Sequence, residues 1–259
     1  MLTVRVVKIG GNELDRPEWV ARCAQALTQV GPVVVVHGGG QAVSTWSRRL
    51  GLPVEKRDGL RVTTPEIAQL VEMVLGGPMN RLLVSALREA GLDAVGLCGV
   101  DGGLLTAQPL QDAAALGEVG EIVSVRGSLL QSLLLAGLTP VIAPVAPAPT
   151  APSRPLNVNA DQAAAAIAAA LGAEELLFVS DVPGVTIDGV PQPTLALGEI
   201  EPMIEGGVAK GGMAAKLRAA AQALRAGVRA VRIGDLTMLE IATAGTRLLA
   251  APPPVAQPA

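Results

Sequence analysis

The chain has 259 residues, half of them hydrophobic, and a formal net charge of −3. This length fits one large domain or two small lobes, with a core that needs no disulfides. Aromatic residues are nearly absent, since the chain has one Phe, two Trp and no Tyr. Single-stranded nucleic acid is bound on aromatic stacking surfaces, and nucleic acids in general on basic patches. The composition therefore argues against a nucleic-acid partner.

The cysteines, the histidine and the N-terminus predict a cytoplasmic protein. We interpret Cys23 and Cys98, both in apolar sequence, as small buried side chains in a reducing compartment. His37 is the only histidine, which excludes metal sites with two histidines and leaves few ways to build a zinc centre. The N-terminus has no signal-peptide layout. The longest smooth apolar stretch, Ala163–Leu171, is far shorter than the ~20 residues that a bilayer requires, so no membrane partner is expected.

The predicted elements alternate between strands and helices. The continuous valine run at Val33–Val36 is typical of a strand buried on both faces. Repeated β-α-β units predict a mainly parallel sheet with helices on both faces. We predict strands at 3–9, 33–36, 94–98, 139–145, 176–180, 230–233 and 247–249. We predict helices at 17–29, 41–50, 65–75, 79–89, 128–136, 160–171, 199–205, 213–226 and 236–243.

Two segments interrupt this alternation. Residues 100–126 have the pattern of short strands and turns, with a tight turn at Asp101-Gly102-Gly103, and such an insertion often forms a lid or a partner surface. Residues 146–155 contain four prolines, which predicts a loop. A hairpin is predicted at Asp188-Gly189.

These boundaries predict a single domain over residues 1–250. Its N-lobe would cover about 1–150 and its C-lobe about 156–250. The tail 251–259, again with four prolines, is expected to be flexible.

Two glycine turns follow predicted strands. Gly10-Gly11 comes directly after Lys8-Ile9, and Gly38-Gly39-Gly40 follows the valine strand. Strand, glycine and helix in succession turn backbone N–H groups toward an anion. Lys8 could instead point to water, but ligands in such sheets bind beyond the carboxyl ends of the strands.

Polar side chains cluster in two further loops. Arg61 precedes a predicted helix and is either a fork for a carboxylate or a solvated charge. Asn157, Asn159 and Asp161 alternate before another helix. A helix N-cap accounts for one of them, but not for three on one face of an extended segment. Asp161 could orient the two lysines, and Asn157 could hold a substrate.

The second half of the chain adds two candidate nucleotide segments. Lys210 and Lys216 flank Gly211-Gly212. Lys216 would lie in the first turn of a helix, where a cation opposes the macrodipole; a phosphate site would retain it, although an ordinary exposed lysine is the alternative. The Ser180–Gly184 segment ends a strand in a Pro-Gly turn and is suitably placed for adenine or ribose.

Taken in order, these motifs resemble the amino-acid kinase family from Lys8 to Arg247. The resemblance implies an open, three-layer αβα sandwich around a mainly parallel sheet of about eight strands, and a kinase that uses ATP with Mg²⁺ carried on the phosphates. The segments 59–63 and 157–161 select the members that phosphorylate the side-chain carboxylate of N-acetyl-L-glutamate in arginine biosynthesis. A kinase for carrier-bound aminoadipate in lysine biosynthesis and a non-catalytic amino-acid- or nucleotide-binding regulator are the alternatives.

The resemblance also implies roles for single residues. Lys8 and Lys216 would stabilise the transferring phosphoryl group, and Asp161 would organise them. The residues implied to bind acetylglutamate are Gly39, Gly40, Arg61, Asn157 and Asn159. The residues implied to bind ATP are Gly10, Gly11, Ser180, Asp181, Pro183, Gly184, Val208, Ala209 and Lys210. No residue is assigned to a metal.

The sequence departs from the family pattern at two places. Some members carry an acidic residue near Gly211, and members commonly have Ser and Lys within the stretch that reads Cys98-Gly99-Val100-Asp101 here.

The resemblance also predicts the assembly. Arginine-sensitive members usually carry an extra N-terminal helix that builds a hexamer, and a first strand starting at about Thr3 leaves no room for it. We therefore expect a homodimer that is insensitive to arginine. Its interface would use the apolar stripe of Ile67, Leu70, Val71 and Val74, unless that stripe faces the chain's own sheet.

Overall fold

The computed structural model describes residues 2–57, 59–110 and 113–250; the predicted flexible tail lies outside them. The strands are β1 Arg5–Ile9, β2 Val33–His37, β3 Lys56–Arg57, β4 Leu60–Arg61, β5 Ala94–Leu97, β6 Leu105–Pro109, β7 Val119–Val125, β8 Thr139–Ile142, β9 Val145–Ala148, β10 Ala151–Val158, β11 Glu175–Val179, β12 Thr186–Ile187, β13 Val190–Pro191, β14 Thr194–Ala196, β15 Ala230–Gly234 and β16 Thr246–Leu249. The helices are α1 Pro17–Leu27, α2 Gly40–Arg49, α3 Pro65–Val74, α4 Asn80–Glu89, α5 Ala113–Leu116, α6 Gly127–Leu135, α7 Ala160–Leu171, α8 Leu197–Glu205, α9 Gly211–Arg225 and α10 Thr237–Glu240.

An eight-stranded sheet forms the centre of the fold, in the order β14-β16-β15-β11-β1-β2-β8-β5. Neighbouring strands run parallel except β15 and β16, which are antiparallel. The prediction of a mainly parallel sheet of about eight strands is confirmed. Because parallel strands end at the same edge, the segments after β1, β2, β11 and β15 are brought together there.

The valine run of β2 shows why the fold has three layers. Val34 and Val36 belong to the core that includes residues of α7 and α9, whereas Val33 and Val35 belong to the core that includes residues of α1 and α3. Side chains alternate along a strand, so a strand buried on both faces must be apolar at every position.

A second, four-stranded sheet in the order β6-β7-β10-β9 contains the insertion at residues 100–126. The predicted short strands are confirmed as β6 and β7, and a 3₁₀ turn occupies Asp101–Gly103. Leu104 and Leu105 are fully buried in the same core as α7 and α9. This part of the insertion is therefore packed into the body of the protein.

The loop predicted at 146–155 is wrong. Residues of this segment form β9 and β10, which pair antiparallel with an irregular register between Ala151 and Pro155. Proline is tolerated in a sheet at edges and bulges. Here β9 is the edge strand, and β10 pairs with β7 only at Asn157 and Val158. The proposed lobe boundary thus falls inside a sheet, and the division into two lobes stays a prediction.

The helices predicted at 65–75 and 79–89 are confirmed as α3 and α4, which are connected through the short turn Leu75–Met79. Gly77 in this turn has φ −94° and ψ −111°, and Pro78 follows it, so the segment kinks there. Within the described residues, Pro65–Glu89 is the one helical segment that is long and apolar enough, by length and composition, to cross a membrane.

The apolar stripe on α3 packs into the chain's own core. Its four residues are at most 3 % exposed: Ile67, Leu70, Val71 and Val74. The prediction of a dimer interface through this stripe is therefore wrong, and the alternative, that it faces the chain's own sheet, is correct.

The hairpin predicted at Asp188-Gly189 is confirmed, because β12 and β13 pair antiparallel around it. Asp188 has φ +50° and Gly189 φ +79°, and a tight two-residue hairpin turn uses positive φ at both positions.

Candidate active site

The two predicted glycine turns lie against each other at the carboxyl edge of the main sheet. A Cβ on Gly11 would collide with the backbone nitrogen and Cα of Gly39, so the close approach requires glycine. Helix α2 begins at Gly40, with Gly39 as its N-cap residue. A helix N-terminus with exposed amides attracts anions, and here it faces a cleft.

A buried ion pair lies at the same edge. Lys8 occupies the next-to-last position of β1, and its Nζ is 2.8 Å from Oδ1 of Asp161 in the first turn of α7. The two side chains are 8 % and 9 % exposed. The structure thus unites two of the three predicted catalytic residues, and Lys8 does not point to bulk water.

Lys216 completes the charged cluster. Burial lowers its pKa first, the positive charge of Lys8 lowers it further, and the carboxylates of Asp161, Asp181 and Glu13 raise it. Two lysines whose charges act on each other, in a partly dehydrated place, form a site for a multiply charged anion.

The position of Lys216 in its helix differs from the prediction. Helix α9 begins at Gly211, with Lys210 as N-cap, and Gly211 has φ +53°. Lys216 therefore lies in the second turn, where the macrodipole effect has largely decayed. The burial and charge of its surroundings, and not the helix dipole, single it out.

Glu13 is a charged residue of this cluster that sequence reasoning missed. It is 6 % exposed, and its Oε2 would lie 2.9 Å from a Cβ placed on Gly10. Glu13 lies two residues after the Gly10-Gly11 turn, and this proximity is the one signal in the sequence. No helical or strand periodicity points to it.

The cleft beside the glycine turns contains all the predicted substrate residues. It encloses about 180 Å³ and is lined by Gly38, Gly39, Gly40, Val43, Lys56, Gly59, Leu60, Arg61, Val71, Leu75, Val119, Pro144, Asn157, Val158, Asn159 and Ala160. All five predicted acetylglutamate residues are among them. Lys56 is a lining cation that sequence reasoning missed.

Arg61 is buried and only partly satisfied. Its Nη2 donates to Gly40 O and to Ser44 Oγ, each at 2.7 Å, while its buried Nη1 has no hydrogen-bond partner within the described residues. Burial and the nearby charge of Arg48 lower the pKa of Arg61. An unpaired N–H group of a buried guanidinium favours an anionic ligand, although one nitrogen of the expected fork is already engaged.

The two asparagines have different surroundings. Asn159 is the N-cap of α7, and its Oδ1 accepts hydrogen bonds from the amides of Asp161 and Gln162 at 2.8 and 3.3 Å. Its oxygen is therefore already used, as the capping alternative requires. Asn157 donates to Thr63 Oγ1 at 3.1 Å, and both asparagines line the cleft.

The predicted nucleotide residues occupy the edge beyond β11 and the approach to α9. Ser180 is buried, and its Oγ has no hydrogen-bond partner in the described part of the chain. Asp181 is exposed, and its charge reaches Lys216. Val208 and Ala209 donate their amides to Met203 O, so these two amides are unavailable to a ligand. Lys210 is exposed.

The two cysteines differ. Cys23 is 1 % exposed in an apolar core, as predicted. Cys98 is half-buried and lies beside Asp101 and Glu72; burial raises its pKa to about 11, and the charges of these two carboxylates add to the shift. Its surroundings are therefore not purely apolar.

Comparisons with known proteins identify the same family. The model of the amino acid kinase family matches residues 3–235. Acetylglutamate kinase of Chloroflexus aggregans is 45 % identical over 251 residues, which cover 96 % of this chain and 98 % of that protein. Acetylglutamate kinase of Geobacillus kaustophilus is 46 % identical over 221 residues, or 85 % of this chain and 84 % of that protein.

A solved structure agrees with the fold. A protein of Streptococcus mutans superposes with a TM-score of 0.85 at 28 % identity, covering 96 % of this chain and all of that one. The fold, the family model and the relatives concur with the prediction from the motifs. The chain belongs to the amino acid kinase family of enzymes, and within it to the group of the acetylglutamate kinases.

Proposed function

We propose that the protein transfers the γ-phosphoryl group of ATP to the side-chain carboxylate of N-acetyl-L-glutamate, giving N-acetyl-L-glutamyl 5-phosphate and ADP in arginine biosynthesis. The observation that carries the proposal is the cluster of buried Lys8 and Asp161 with half-buried Lys216, beside a cleft with a free guanidinium nitrogen. The relatives that are 45 % identical over nearly the whole chain support this substrate.

The chemistry needs charge stabilisation and not a base. A carboxylate with a pKa near 4 is already ionised at neutral pH, so its oxygen attacks phosphorus directly while the bond from phosphorus to the ADP oxygen breaks. In the transition state negative charge is spread over the oxygens of the phosphoryl group being transferred. Lys8 and Lys216 would neutralise that charge, and Asp161 would hold Lys8 in place.

The remaining cleft residues would hold the acid. The free Nη1 of Arg61 would bind its α-carboxylate, with Asn157 nearby. The amides of Gly11, Gly39 and Gly40, together with the first turn of α2, would bind the phosphates or the attacking carboxylate. ATP would enter as its Mg²⁺ complex, with the metal on the phosphates, past Gly10, Ser180–Gly184 and Val208–Lys210.

An ADP-release assay tests the proposal. The purified protein is given MgATP with acetylglutamate, with aminoadipate, a simple stand-in for the carrier-bound acid, or with aspartate. Release that depends on acetylglutamate is expected. ADP release with aminoadipate but not with acetylglutamate or aspartate would favour the lysine-pathway kinase. No ADP release with any of the three acids would indicate a regulator that binds without turnover.

We also propose a homodimer in the cytoplasm. Unpaired thiols at Cys23 and Cys98 suit a reducing compartment. Met73 on α3 and Leu82 on α4 are 65 % and 41 % exposed, which leaves apolar surface for a second copy, and two-fold dimers are the commonest closed assembly. Light scattering tests the dimer, and a monomer or a hexamer would contradict it. Titrating arginine into the kinase assay tests the expected insensitivity.

A further inference from the structure

His37 is fully buried at the end of β2, directly before the glycine turn, and the proposed reaction gives it no contact with substrate. Its Nδ1 lies 2.8 Å from Gly38 O. A carbonyl oxygen only accepts, so Nδ1 must carry the hydrogen and donate it.

Asn80 fixes the other ring nitrogen. Its Nδ2 donates to Val141 O at 2.9 Å and lies 3.2 Å from His37 Nε2, while its Oδ1 accepts from Arg81 Nη2 at 2.6 Å. A flipped amide would place its oxygen against the Val141 carbonyl and its N–H groups against a guanidinium, so the orientation shown is the favourable one. His37 Nε2 is therefore an acceptor, and the ring is neutral with its hydrogen on Nδ1.

The bond to Gly38 sets the direction of the next amide. In a trans peptide the C=O of one residue and the N–H of the following residue point in opposite directions. Because His37 holds the Gly38 carbonyl, the Gly39 N–H is directed away from it, on the side where the Gly39 nitrogen approaches Gly11. Within the described residues this amide has no backbone acceptor, so it is free for a ligand.

The helical segment 65–89 is shaped to bring Asn80 to this place. The segment kinks at Gly77, whose backbone is not helical and which is followed by Pro78, and this kink sets the direction in which α4 continues. Leu75 and Met79 of the turn pack on Gly39, where a Cβ would lie 2.5 Å from Leu75 Cδ2 and 3.5 Å from Met79 Cγ. On the other side, a Cβ on Gly96 of β5 would collide with the Asn80 and Arg81 side chains.

We propose that His37 and Asn80 are positioning residues for phosphoryl transfer, which hold the Gly38–Gly39 peptide so that the Gly39 N–H faces the group being transferred. This inference rests on the proposed kinase function. It gives the buried histidine, the kink between α3 and α4 and the close approach at Gly96 a shared purpose in one network. Neither His37 nor Asn80 is required to touch a substrate.

A pair of substitutions at His37 separates positioning from packing. The amide nitrogen in His37→Asn can take the place of Nδ1 and donate to Gly38, whereas the amide in His37→Gln reaches only the place of Nε2. We expect His37→Gln to lower kcat roughly tenfold or more, with little change in either KM. This loss is smaller than the roughly 10²–10³ that follows when a donor is deleted outright. His37→Asn should retain most of the kcat that His37→Gln loses.

Ser47→Ala is the matched control. It removes a buried hydrogen bond to Val43 O in the helix that follows the turn and should leave kcat unchanged. Because the chain has one histidine, ¹⁵N spectra of the wild-type protein report its tautomer directly, even if a variant does not fold. A neutral ring protonated at Nδ1 is expected at pH 7.

The outcomes are distinguishable. If the wild-type protein releases no ADP with any acid, the proposed function is wrong and this inference falls with it. If the wild-type protein is active but His37→Gln keeps its kcat, or if the spectra show a hydrogen on Nε2, only the positioning role is wrong. Equal losses in His37→Asn and His37→Gln would also contradict it, because they would indicate a packing effect.

Discussion

Asp161 Oδ1 lies 2.8 Å from Lys8 Nζ, and both side chains are less than a tenth exposed. Lys8 lies on β1, in the first half of the sequence, and Asp161 lies on α7, in the second half. A buried ammonium ion needs a counter-charge, because leaving one partner alone in the interior is costly. The pair therefore links the stability of the site to its chemistry.

A double-mutant cycle tests this link. Asp161→Asn should destabilise the protein by about 3–5 kcal/mol, since Lys8 would stay buried and unpaired. Adding Lys8→Met should recover much of that stability, because it removes the isolated charge, but kinase activity should stay lost. Urea denaturation and ADP release measure the two effects.

Arg88 and Asp93 provide the control for this cycle. They form an ion pair with side chains 59 % and 63 % exposed, so Asp93→Asn should change stability by about 1 kcal/mol or less. A neutral effect of Asp161→Asn would show that the buried pair has no such role.

Lys216 should act mainly in the transition state. Lys216→Ala should lower kcat by roughly 10²–10³, the usual loss for one group that stabilises developing charge, with little change in KM. Steady-state kinetics with both substrates measure this. Arg218→Ala is the control, because Arg218 lies in the same helix with its side chain 60 % exposed and should leave kcat unchanged. A raised KM for ATP at constant kcat would mean ground-state binding instead.

The parts of this site that the sequence predicts are those with a local pattern. Lys8 and the glycines follow apolar strands, and parallel strands bring their carboxyl ends to one edge. The contact between His37 and Asn80 joins residues 43 positions apart, and it depends on the kink at Gly77 that directs α4, so no periodicity signals it. The strands at Val145–Ala148 and Ala151–Val158 are not predicted, because the prolines of this stretch favour a loop. The strand pairing that holds them in a sheet cannot be seen in the local sequence.

Arg61 should hold a carboxylate of the acid substrate. Arg61→Lys keeps the charge but cannot both reach Gly40 O and Ser44 Oγ and present a free N–H in the same plane. The KM for acetylglutamate should rise roughly tenfold, the cost of weakening one charge-assisted hydrogen bond, while the KM for ATP barely moves. Initial-rate kinetics at saturating co-substrate measure both. Arg57→Lys, at a side chain 52 % exposed, should change neither, and equal effects on both substrates would place Arg61 elsewhere.

The neutral state of His37 should make stability depend on pH. Burial lowers the pKa of His37 from 6.5 to about 4; the hydrogen bond to Gly38 opposes this shift, and the charge of Lys8 adds to it. Arg81, bonded to Asn80, is the further charged group next to this network. Below pH 6.5 the unfolded chain takes up a proton at this residue and the folded chain does not, so the free energy of unfolding falls as the pH falls and levels off below about pH 4.

The loss assigned to His37 should be on the order of 2 kcal/mol between pH 6.5 and 5. Carboxyl groups also titrate at the lower end of this range, so the measurement is the difference between the wild-type protein and His37→Asn in urea denaturation at each pH. The variant has no histidine left and should show a flatter profile across this interval. Parallel profiles would mean that His37 takes up its proton equally well in the folded protein, and the Asn80 contact would then not hold the ring neutral.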